Sequence, residues 1–285
     1  MDNWNTIGLL VTDDKGILYK EGLEPGEYRF IERIAPYGYH IDDTPIPFTI
    51  GENQIEVLKV GPITNEIIKG AVELTKVDKD NRKTVLEGAI FELQDEEGNM
   101  LQEDLTTKEN GKVVVTDLKP GNYQFVETQA PHGYKLNQTP IEFTIVAAQN
   151  TILKVTAQNE IILGSVVLTK VDDDDSEVTL EGALFELQDA EGNVIQSGIS
   201  TNDKGEITIK KLTPGNYQFV ETKAPTYYQL DPTPIKFTID MGKNEIAIPV
   251  KVPNKLITGA VELTKVDKDT KEITLEGAVF KLLNE

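Results

Sequence analysis

The sequence contains no cysteine and only two histidines, His40 and His132. Without thiols the chain cannot form disulfides, thiolate metal sites or a cysteine nucleophile. Two histidines at unmatched places in the sequence give little basis for a metal centre or for histidine acid–base catalysis. We therefore expect no metal and no cofactor, and the composition argues against an enzyme with turnover.

Basic residues are also few, since 28 Lys+Arg stand against 48 Asp+Glu, for a net charge of −20. Nucleic-acid binding needs a basic face, and anionic lipid repels such a chain. Every apolar run is shorter than the roughly 20 residues of a membrane helix. We expect no nucleic-acid partner and no membrane insertion. The N-terminus lacks the layout of a signal peptide, so we expect any signal and anchor to lie outside this chain.

A repeat dominates what is present. The segment GAVELTKVDKD begins at Gly70, returns as GSVVLTKVDDD at Gly164, and returns unchanged at Gly259, so the starts are 94 and 95 residues apart. A second segment, PGNYQFVETQAP, recurs as PGNYQFVETKAP and, in divergent form near the N-terminus, as PGEYRFIERIAP. Internal repeats of this length indicate tandem domains. We predict two complete copies, copy two (residues 70–163) and copy three (residues 164–258).

The two ends of the chain match complementary parts of a copy. Residues 1–69, the head segment, match only the later part, and residues 259–285, the tail segment, match only the opening. The break falls in the turn that reads EEGN in copy two, and loop tips are where splitting is tolerated. We interpret the ends as one divided copy; an arbitrary fragment with ragged ends is the alternative.

Each copy consists of short runs that alternate apolar and polar residues, such as KVVVTDL and IEFTIV, separated by turn signals such as KENG and KPGN. Period-two alternation with β-branched and aromatic residues is typical of strands. About seven strands without helices predict an all-β fold, an antiparallel sandwich of immunoglobulin-like size. Tandem copies with short connections predict an elongated rod.

Alternation directs three polar side chains of each copy toward the apolar interior. In copy two, Lys76 shares a face with Val72 and Leu74, Glu127 shares one with Tyr123 and Phe125, and Asn159 ends an apolar stripe. The same positions in copy three and in the divided copy are Lys170, Glu221 and Asn254, and Lys265, Glu32 and Asn65. The stripe before Asn65 is imperfect, because it contains Lys59 and Gly61.

Burying an isolated charge costs several kcal/mol, so these groups should meet one another. They could form a buried salt bridge with an asparagine hydrogen bond, or snorkel to water from the strand ends. They could also react. Desolvation lowers the pKa of an amine and raises that of a carboxyl group. A neutral amine held against a carboxamide, with a carboxyl group to move protons, could form an isopeptide bond and release ammonia.

At these motifs the chain resembles the Cna B-type (SpaA-like, prealbumin-like) domains of Gram-positive surface adhesins and pilins. The matching elements are LTKVD, LEGAxFEL, G-x-Y-x-F-x-E-x-x-A-P-x-x-Y and a last strand that ends in Asn. The resemblance implies a sandwich whose first and last strands are joined by a Lys–Asn isopeptide bond, with Glu as the catalytic residue. The implied cross-links are Lys76–Asn159, Lys170–Asn254 and Lys265–Asn65, and the implied catalytic residues are Glu127, Glu221 and Glu32.

The resemblance favours a structural protein, the stalk or fibre of a Gram-positive cell surface or cell wall. We expect the chain to bind itself head to tail, with Lys265 of one molecule bonded to Asn65 of the next, because two complete copies separate the halves. The only reaction expected is a single turnover in each copy. The alternative interpretation is an adhesin module that binds a host matrix protein.

Overall fold

The computed structural model describes residues 4–242 and 248–284, and within these ranges the chain forms strands and no helix that could cross a membrane. The strands are β1 (Gly26–Phe30), β2 (Ile46–Ile50), β3 (Gly70–Asp78), β4 (Ile90–Asp95), β5 (Met100–Thr106), β6 (Lys112–Leu118), β7 (Gly121–Gln129), β8 (Ile141–Ile145), β9 (Leu153–Asn159), β10 (Gly164–Asp172), β11 (Leu184–Asp189), β12 (Val194–Ser200), β13 (Glu206–Leu212), β14 (Gly215–Lys223), β15 (Ile235–Ile239) and β16 (Ile248–Asn254). The all-β prediction is confirmed.

Copies two and three each fold as two sheets of the same topology. In copy two the strand orders are β6-β3-β9 and β5-β4-β7-β8, and in copy three they are β13-β10-β16 and β12-β11-β14-β15. One hydrophobic core in each copy contains side chains from both sheets. In copy two, Leu74 of the three-stranded sheet and Phe125 of the four-stranded sheet are fully buried in the same cluster. Each complete copy is therefore a β-sandwich.

The first and last strands of a copy run parallel, which departs from the predicted antiparallel arrangement. β3 pairs with β9 in parallel, with Lys76 opposite Ala157 and Asp78 opposite Asn159; β10 and β16 pair in the same way. All other strand pairs are antiparallel. β9 enters this sheet from β8, which lies in the other sheet. The pair is thus not a hairpin, and its direction is not restricted to antiparallel.

The chain divides into two compact units. One comprises Met1–Pro131 and Lys135–Glu160, and the other comprises His132–Tyr134 and Ile161–Glu285. In the first unit the head segment forms a hairpin of β1 and β2, in which the Phe48 ring stacks on those of Tyr28 and Phe30 at 5.5 and 4.8 Å. Residues 259–284 of the tail segment, in the second unit, form no strand.

One identical segment has two conformations in this chain. GAVELTKVDKD forms the central strand β3 at residues 70–80, whereas at residues 259–269 it contains only an isolated bridge between Val266 and Thr274. Leu74 in the first segment is 0% exposed, and Leu263, at the same place in the second, is 63% exposed. Strand formation depends on neighbouring strands more than on the intrinsic preference of the residues. The tail segment therefore has the sequence of a strand but no neighbouring strand to pair with.

Candidate functional site

The lysine of each complete copy lies in the core. Lys76 of β3 is 1% exposed and Lys170 of β10 is 0% exposed. In each strand the two preceding inward positions carry valine and leucine that are fully buried, as the period-two alternation predicts. Both ammonium groups approach a phenylalanine ring of the neighbouring sheet, Lys76 at 5.3 Å from the Phe91 centroid and Lys170 at 5.8 Å from that of Phe185.

The glutamate and the asparagine reach this lysine from different strands. Glu127 lies in β7 of the four-stranded sheet, and Asn159 is the last residue of β9, beside β3. Each is 1% exposed. The three polar side chains of copy two therefore converge between the sheets, from three strands that are distant in sequence.

In copy two the glutamate joins the other two groups. Its Oε1 lies 3.0 Å from Lys76 Nζ, and its Oε2 accepts hydrogen bonds from Asn159 Nδ2 at 2.9 Å and from the backbone N–H of Asn137 at 2.8 Å. Asn159 Nδ2 also donates to the Lys135 carbonyl oxygen at 2.7 Å. Both hydrogens of the carboxamide are thus in use, which fixes its orientation.

Copy three repeats this arrangement with one difference. Asn254 Nδ2 donates to Glu221 Oε2 at 3.0 Å and to the Gln229 carbonyl oxygen. Glu221 Oε1 lies 3.5 Å from Lys170 Nζ, which donates instead to the Pro253 carbonyl oxygen at 2.9 Å. The lysine of copy three is therefore shared between the carboxylate and a main-chain carbonyl group.

Two oxygens of each site are buried without a hydrogen bond. They are Glu127 Oε1 and Asn159 Oδ1 in copy two, and Glu221 Oε1 and Asn254 Oδ1 in copy three. In native proteins nearly all buried polar atoms have a hydrogen-bond partner, so a buried polar atom without one needs an explanation. The two glutamate oxygens have an ion-pair partner, because the lysine Nζ of the same copy lies within 4 Å of Oε1. The asparagine carbonyl oxygens are left without a donor, which suits an atom that accepts a proton during a reaction.

Burial lowers the pKa of Lys76 below its ordinary value of 10.5, and the hydrogen bond and charge of Glu127 oppose part of this shift. Burial likewise lowers the pKa of Lys170, opposed by Glu221 and by Asp231. The lower pKa increases the neutral fraction of each amine, which is the nucleophilic form. No group of three or more His, Cys, Asp or Glu side chains that could hold a metal occurs in the described ranges.

The head segment contains the same pair of glutamate and asparagine without the lysine. Asn65 Nδ2 donates to Glu32 Oε2 at 2.7 Å and to the His40 carbonyl oxygen at 2.9 Å, and the backbone N–H of Asp42 donates to Glu32 Oε2 at 2.8 Å. Each contact has a counterpart in copies two and three. Glu32 and Asn65 are half-buried, and Lys265 is exposed. The structure thus brings together two of the three predicted residues of the divided copy.

Sequence reasoning missed the main-chain groups that hold the pair. The backbone N–H groups of Asn137 and Asp231 bind the glutamates, and the carbonyl groups of Lys135 and Gln229 bind the asparagines. Every residue has a main-chain carbonyl group and nearly every residue an N–H group, so the residue types do not show which of these groups bind the pair. A signal was available only in the spacing, because each N–H donor lies ten residues after its glutamate in all three copies.

The model of a known domain family, the SpaA prealbumin-like fold domain, matches residues 2–62, 70–161 and 164–254. The chain belongs to this family. Its prealbumin-like domains are thus repeated in tandem, as the resemblance implied. The match also includes most of the head segment, although the strands in its described residues, 4–69, are limited to the β1–β2 hairpin.

Two relatives show where such domains occur. The trypsin-resistant surface T6 protein of Streptococcus pyogenes serotype M6 is 40% identical over 73 residues, which are 26% of this chain and 13% of that protein. The solved structure of the Bacillus anthracis TIE protein is 32% identical, with a TM-score of 0.57, and the match covers 86% of this chain and 45% of that chain. This chain therefore spans less than half of either relative.

Proposed function

We propose that this chain is a structural stalk region of a Gram-positive cell-surface protein, in which each prealbumin-like domain forms an isopeptide bond between its lysine and its asparagine. The observation that carries the proposal is the convergence of the buried side chains of Lys76, Glu127 and Asn159, repeated in copy three. A purely structural salt bridge would not require a carboxamide whose carbonyl oxygen is left without a donor.

The reaction balances with the three side chains alone. Lys76 transfers a proton to Glu127, and the neutral Nζ attacks Cγ of Asn159. The carboxyl group gives its proton to the carboxamide oxygen, which has no other donor, and takes up the proton that the attacking nitrogen loses. The new C–N bond forms, Glu127 passes the proton it has just taken up to Nδ2, its hydrogen-bond partner, and the bond to Nδ2 breaks so that ammonia leaves. As the carbonyl re-forms, the proton on its oxygen returns to Glu127, which passes it to the departing ammonia as ammonium. Glu127 is regenerated, and the lysine and asparagine are consumed in a single turnover.

The position of the bond suits a protein under tension. β3 opens the copy and β9 closes it, and the two strands are parallel neighbours joined by main-chain hydrogen bonds. A pull on both ends of the copy loads this strand pair first. A covalent link from Lys76 to Asn159 transfers the load from hydrogen bonds to a covalent bond. It also removes conformational freedom from the unfolded chain, as a disulfide does.

For the divided copy we propose that the tail segment of one molecule completes the head segment of the next. Repeat alignment assigns residues 259–267 to the place of β3, the central strand of the three-stranded sheet, and residues 279–284 to that of β4, an inner strand of the four-stranded sheet. The head segment lacks both inner strands. The strands of its described residues are accordingly β1 and β2, which form a hairpin as their counterparts β7 and β8 do in copy two.

The exposed apolar side chains of the tail segment support this docking. They occupy positions that are fully buried in copy two: Val261 for Val72, Leu263 for Leu74, Phe280 for Phe91 and Leu282 for Leu93. Burying four such side chains contributes about 1.5–3 kcal/mol each. The contact is heterologous, so it propagates into a fibre wherever it does not close into a ring. Lys265 of one molecule would then meet Glu32 and Asn65 of the next.

Boiling in denaturing detergent followed by electrophoresis tests the head-to-tail bond. We expect a ladder of covalent multimers from the full chain and only monomer from Lys265→Ala, because that variant lacks the nucleophile. Lys271→Ala is the matched control, since this exposed lysine lies in the same segment and should leave the ladder intact. A ladder that survives Lys265→Ala contradicts the proposal. Both variants change exposed tail residues, so neither should unfold copies two and three.

A further inference from the structure

A buried threonine that takes no part in the proposed reaction occurs in both complete copies. Thr107 is 1% exposed and Thr201 is 2% exposed. The Thr107 hydroxyl donates to the Leu86 carbonyl oxygen at 2.9 Å and accepts from the Ala89 N–H at 3.0 Å. Thr201 makes the same two bonds, at 2.9 and 3.0 Å, with Leu180 and Ala183. One hydroxyl thus satisfies two main-chain groups of the L-E-G-A loop.

The main chain of the same threonine strengthens this connection. The Thr107 N–H donates to the Ala89 carbonyl oxygen at 2.9 Å, and the Gly88 N–H donates to the Thr107 carbonyl oxygen at 2.9 Å. Copy three has the corresponding bonds, at 3.0 and 3.2 Å. Four hydrogen bonds therefore fasten the L-E-G-A loop, which precedes β4 or β11, to the loop that precedes β6 or β13.

A glycine four residues after the threonine contacts the reactive lysine itself. The backbone N–H groups of Lys76 and Lys170 donate to the carbonyl oxygens of Gly111 and Gly205 at 2.7 and 2.8 Å. A Cβ at Gly205 would lie 2.7 Å from the Lys170 carbonyl oxygen and 2.8 Å from the Leu180 nitrogen. The T-x-x-x-G loop thus packs directly on the main chain on either side of the lysine.

In the divided copy the two partners of this contact lie on opposite ends of the chain. The T-x-x-x-G loop is Thr12–Gly16 of the head segment, and the L-E-G-A loop is Leu275–Ala278 of the tail segment. Thr12 is exposed. Nothing lies within 4 Å of a Cβ built on Gly16, whose φ of +72° equals that of Gly205. The space that the lysine strand occupies in copy three is therefore open at Gly16.

Both partners already have the local geometry of the complete copies. In the head segment the Gly16 N–H donates to the Asp13 carbonyl oxygen at 3.0 Å, as Gly205 does to Asn202 at 2.8 Å. In the tail segment the Leu275 N–H donates to the Lys265 carbonyl oxygen at 2.8 Å, as Leu180 does to Lys170 at 2.9 Å. Two surfaces that are preformed in this way can dock with little loss of conformational entropy.

We propose that the Thr12–Gly16 loop is the docking site for the tail segment of a second copy, and that Thr12 is the positioning residue that sets its register. This inference rests on the head-to-tail function proposed above. Thr12 would bind Leu275 and Ala278, and Gly16 would accept the Lys265 N–H. Register matters because a slip of one residue turns a strand side chain to the opposite face. Lys265 would then point away from Glu32 and Asn65.

Two complementary variants of the full chain isolate a single junction. Lys265→Ala retains a working head segment, and Asn65→Ala retains a working tail segment. Neither variant alone forms a covalent bond between molecules, and their mixture can form only a covalent dimer. Thr12→Val, introduced into the Lys265→Ala chain, should slow dimer formation on the order of tenfold or more, because two main-chain groups would be buried without partners. The readout is the rate of dimer appearance in denaturing electrophoresis.

Two further variants separate the hydroxyl from its surroundings. Thr12→Ser retains the hydroxyl and should restore most of the rate. Thr6→Val makes the same change at a position whose counterpart Leu101 is 52% exposed, and should leave the rate unchanged. An unchanged rate for Thr12→Val would overturn the role of Thr12 while head-to-tail bonding stands. No dimer from the parent pair would instead refute the bonding itself, and this inference with it.

Discussion

Replacing Asn159 by alanine removes the electrophile of copy two and leaves the Lys76–Glu127 ion pair in place. The cross-link would close a span of 83 residues between Lys76 and Asn159, which corresponds to about 4.5 kcal/mol of loop-closure entropy. The two hydrogen bonds that Asn159 Nδ2 donates, to Glu127 and Lys135, do not add to this difference, because the reaction releases Nδ2 as ammonia and the cross-linked parent no longer has them. We expect Asn159→Ala to lower the free energy of unfolding of copy two by about 4.5 kcal/mol.

A double-mutant cycle isolates the covalent part of this loss. Asn159→Ala and Lys76→Met each abolish the cross-link, so the double variant loses it only once. The cycle should therefore show a coupling of about 4.5 kcal/mol. A salt bridge with a hydrogen-bond network would give 0.5–3 kcal/mol for residues in contact. Calorimetry of the full chain measures the shift, with the transition of copy three as the internal reference. A coupling of about 3 kcal/mol or less would refute the cross-link in copy two.

Three further predictions concern the same sites. In Asn159→Ala, Lys76 remains unreacted, and burial keeps its folded-state pKa below the ordinary value of 10.5. Between these two pKa values the unfolded state binds more protons than the folded state. The free energy of unfolding, measured in denaturant, should therefore rise with pH across that window. Glu221→Gln should prevent bond formation in copy three alone, and intact-mass measurement should find one ammonia more than in the parent chain. Gly205→Ala should destabilise copy three more than Gly182→Ala, as measured by calorimetry. Both glycines have positive φ, +72° and +80°, so both substitutions strain the backbone, but a Cβ at Gly205 would also lie 2.7 Å from a backbone oxygen, whereas nothing lies within 4 Å of one at Gly182.

Sequence periodicity predicts the buried lysines and glutamates well, because a strand alternates its faces regardless of its partner. Lys76 and Glu127 follow apolar residues at two-residue spacing in β3 and β7, and both are 1% exposed. The prediction needs only the local pattern and the cost of an unpaired buried charge. Their convergence with Asn159 then follows from the same cost, without knowledge of the sheet order.

Long-range pairing could not be predicted in the same way. The parallel contact of β3 and β9 joins strands from opposite ends of a copy, and nothing in either strand indicates its direction relative to the other. Thr107 was also missed, because it lies in a loop without periodicity and its partners are main-chain atoms. The T-x-x-x-G spacing, repeated at Thr12, Thr107 and Thr201, was the available signal.

The tail segment shows why sequence pattern alone cannot predict its conformation. Residues 259–269 repeat residues 70–80 letter for letter, yet only the latter contain a strand. In copy two, β3 has hydrogen-bonding neighbours on both sides, β6 and β9. The pattern therefore indicates the strand that the segment can form when those neighbours are supplied. The head segment carries their counterparts, so the proposed head-to-tail contact would supply those neighbours.

Intact mass of the denatured chain tests most directly whether lysine and asparagine fuse inside each domain. A monomer should weigh two ammonia molecules less than its sequence, one for Lys76–Asn159 and one for Lys170–Asn254. Each head-to-tail junction in a multimer should remove one more, through Lys265 and Asn65. A monomer whose mass equals that of the unmodified sequence would contradict the account.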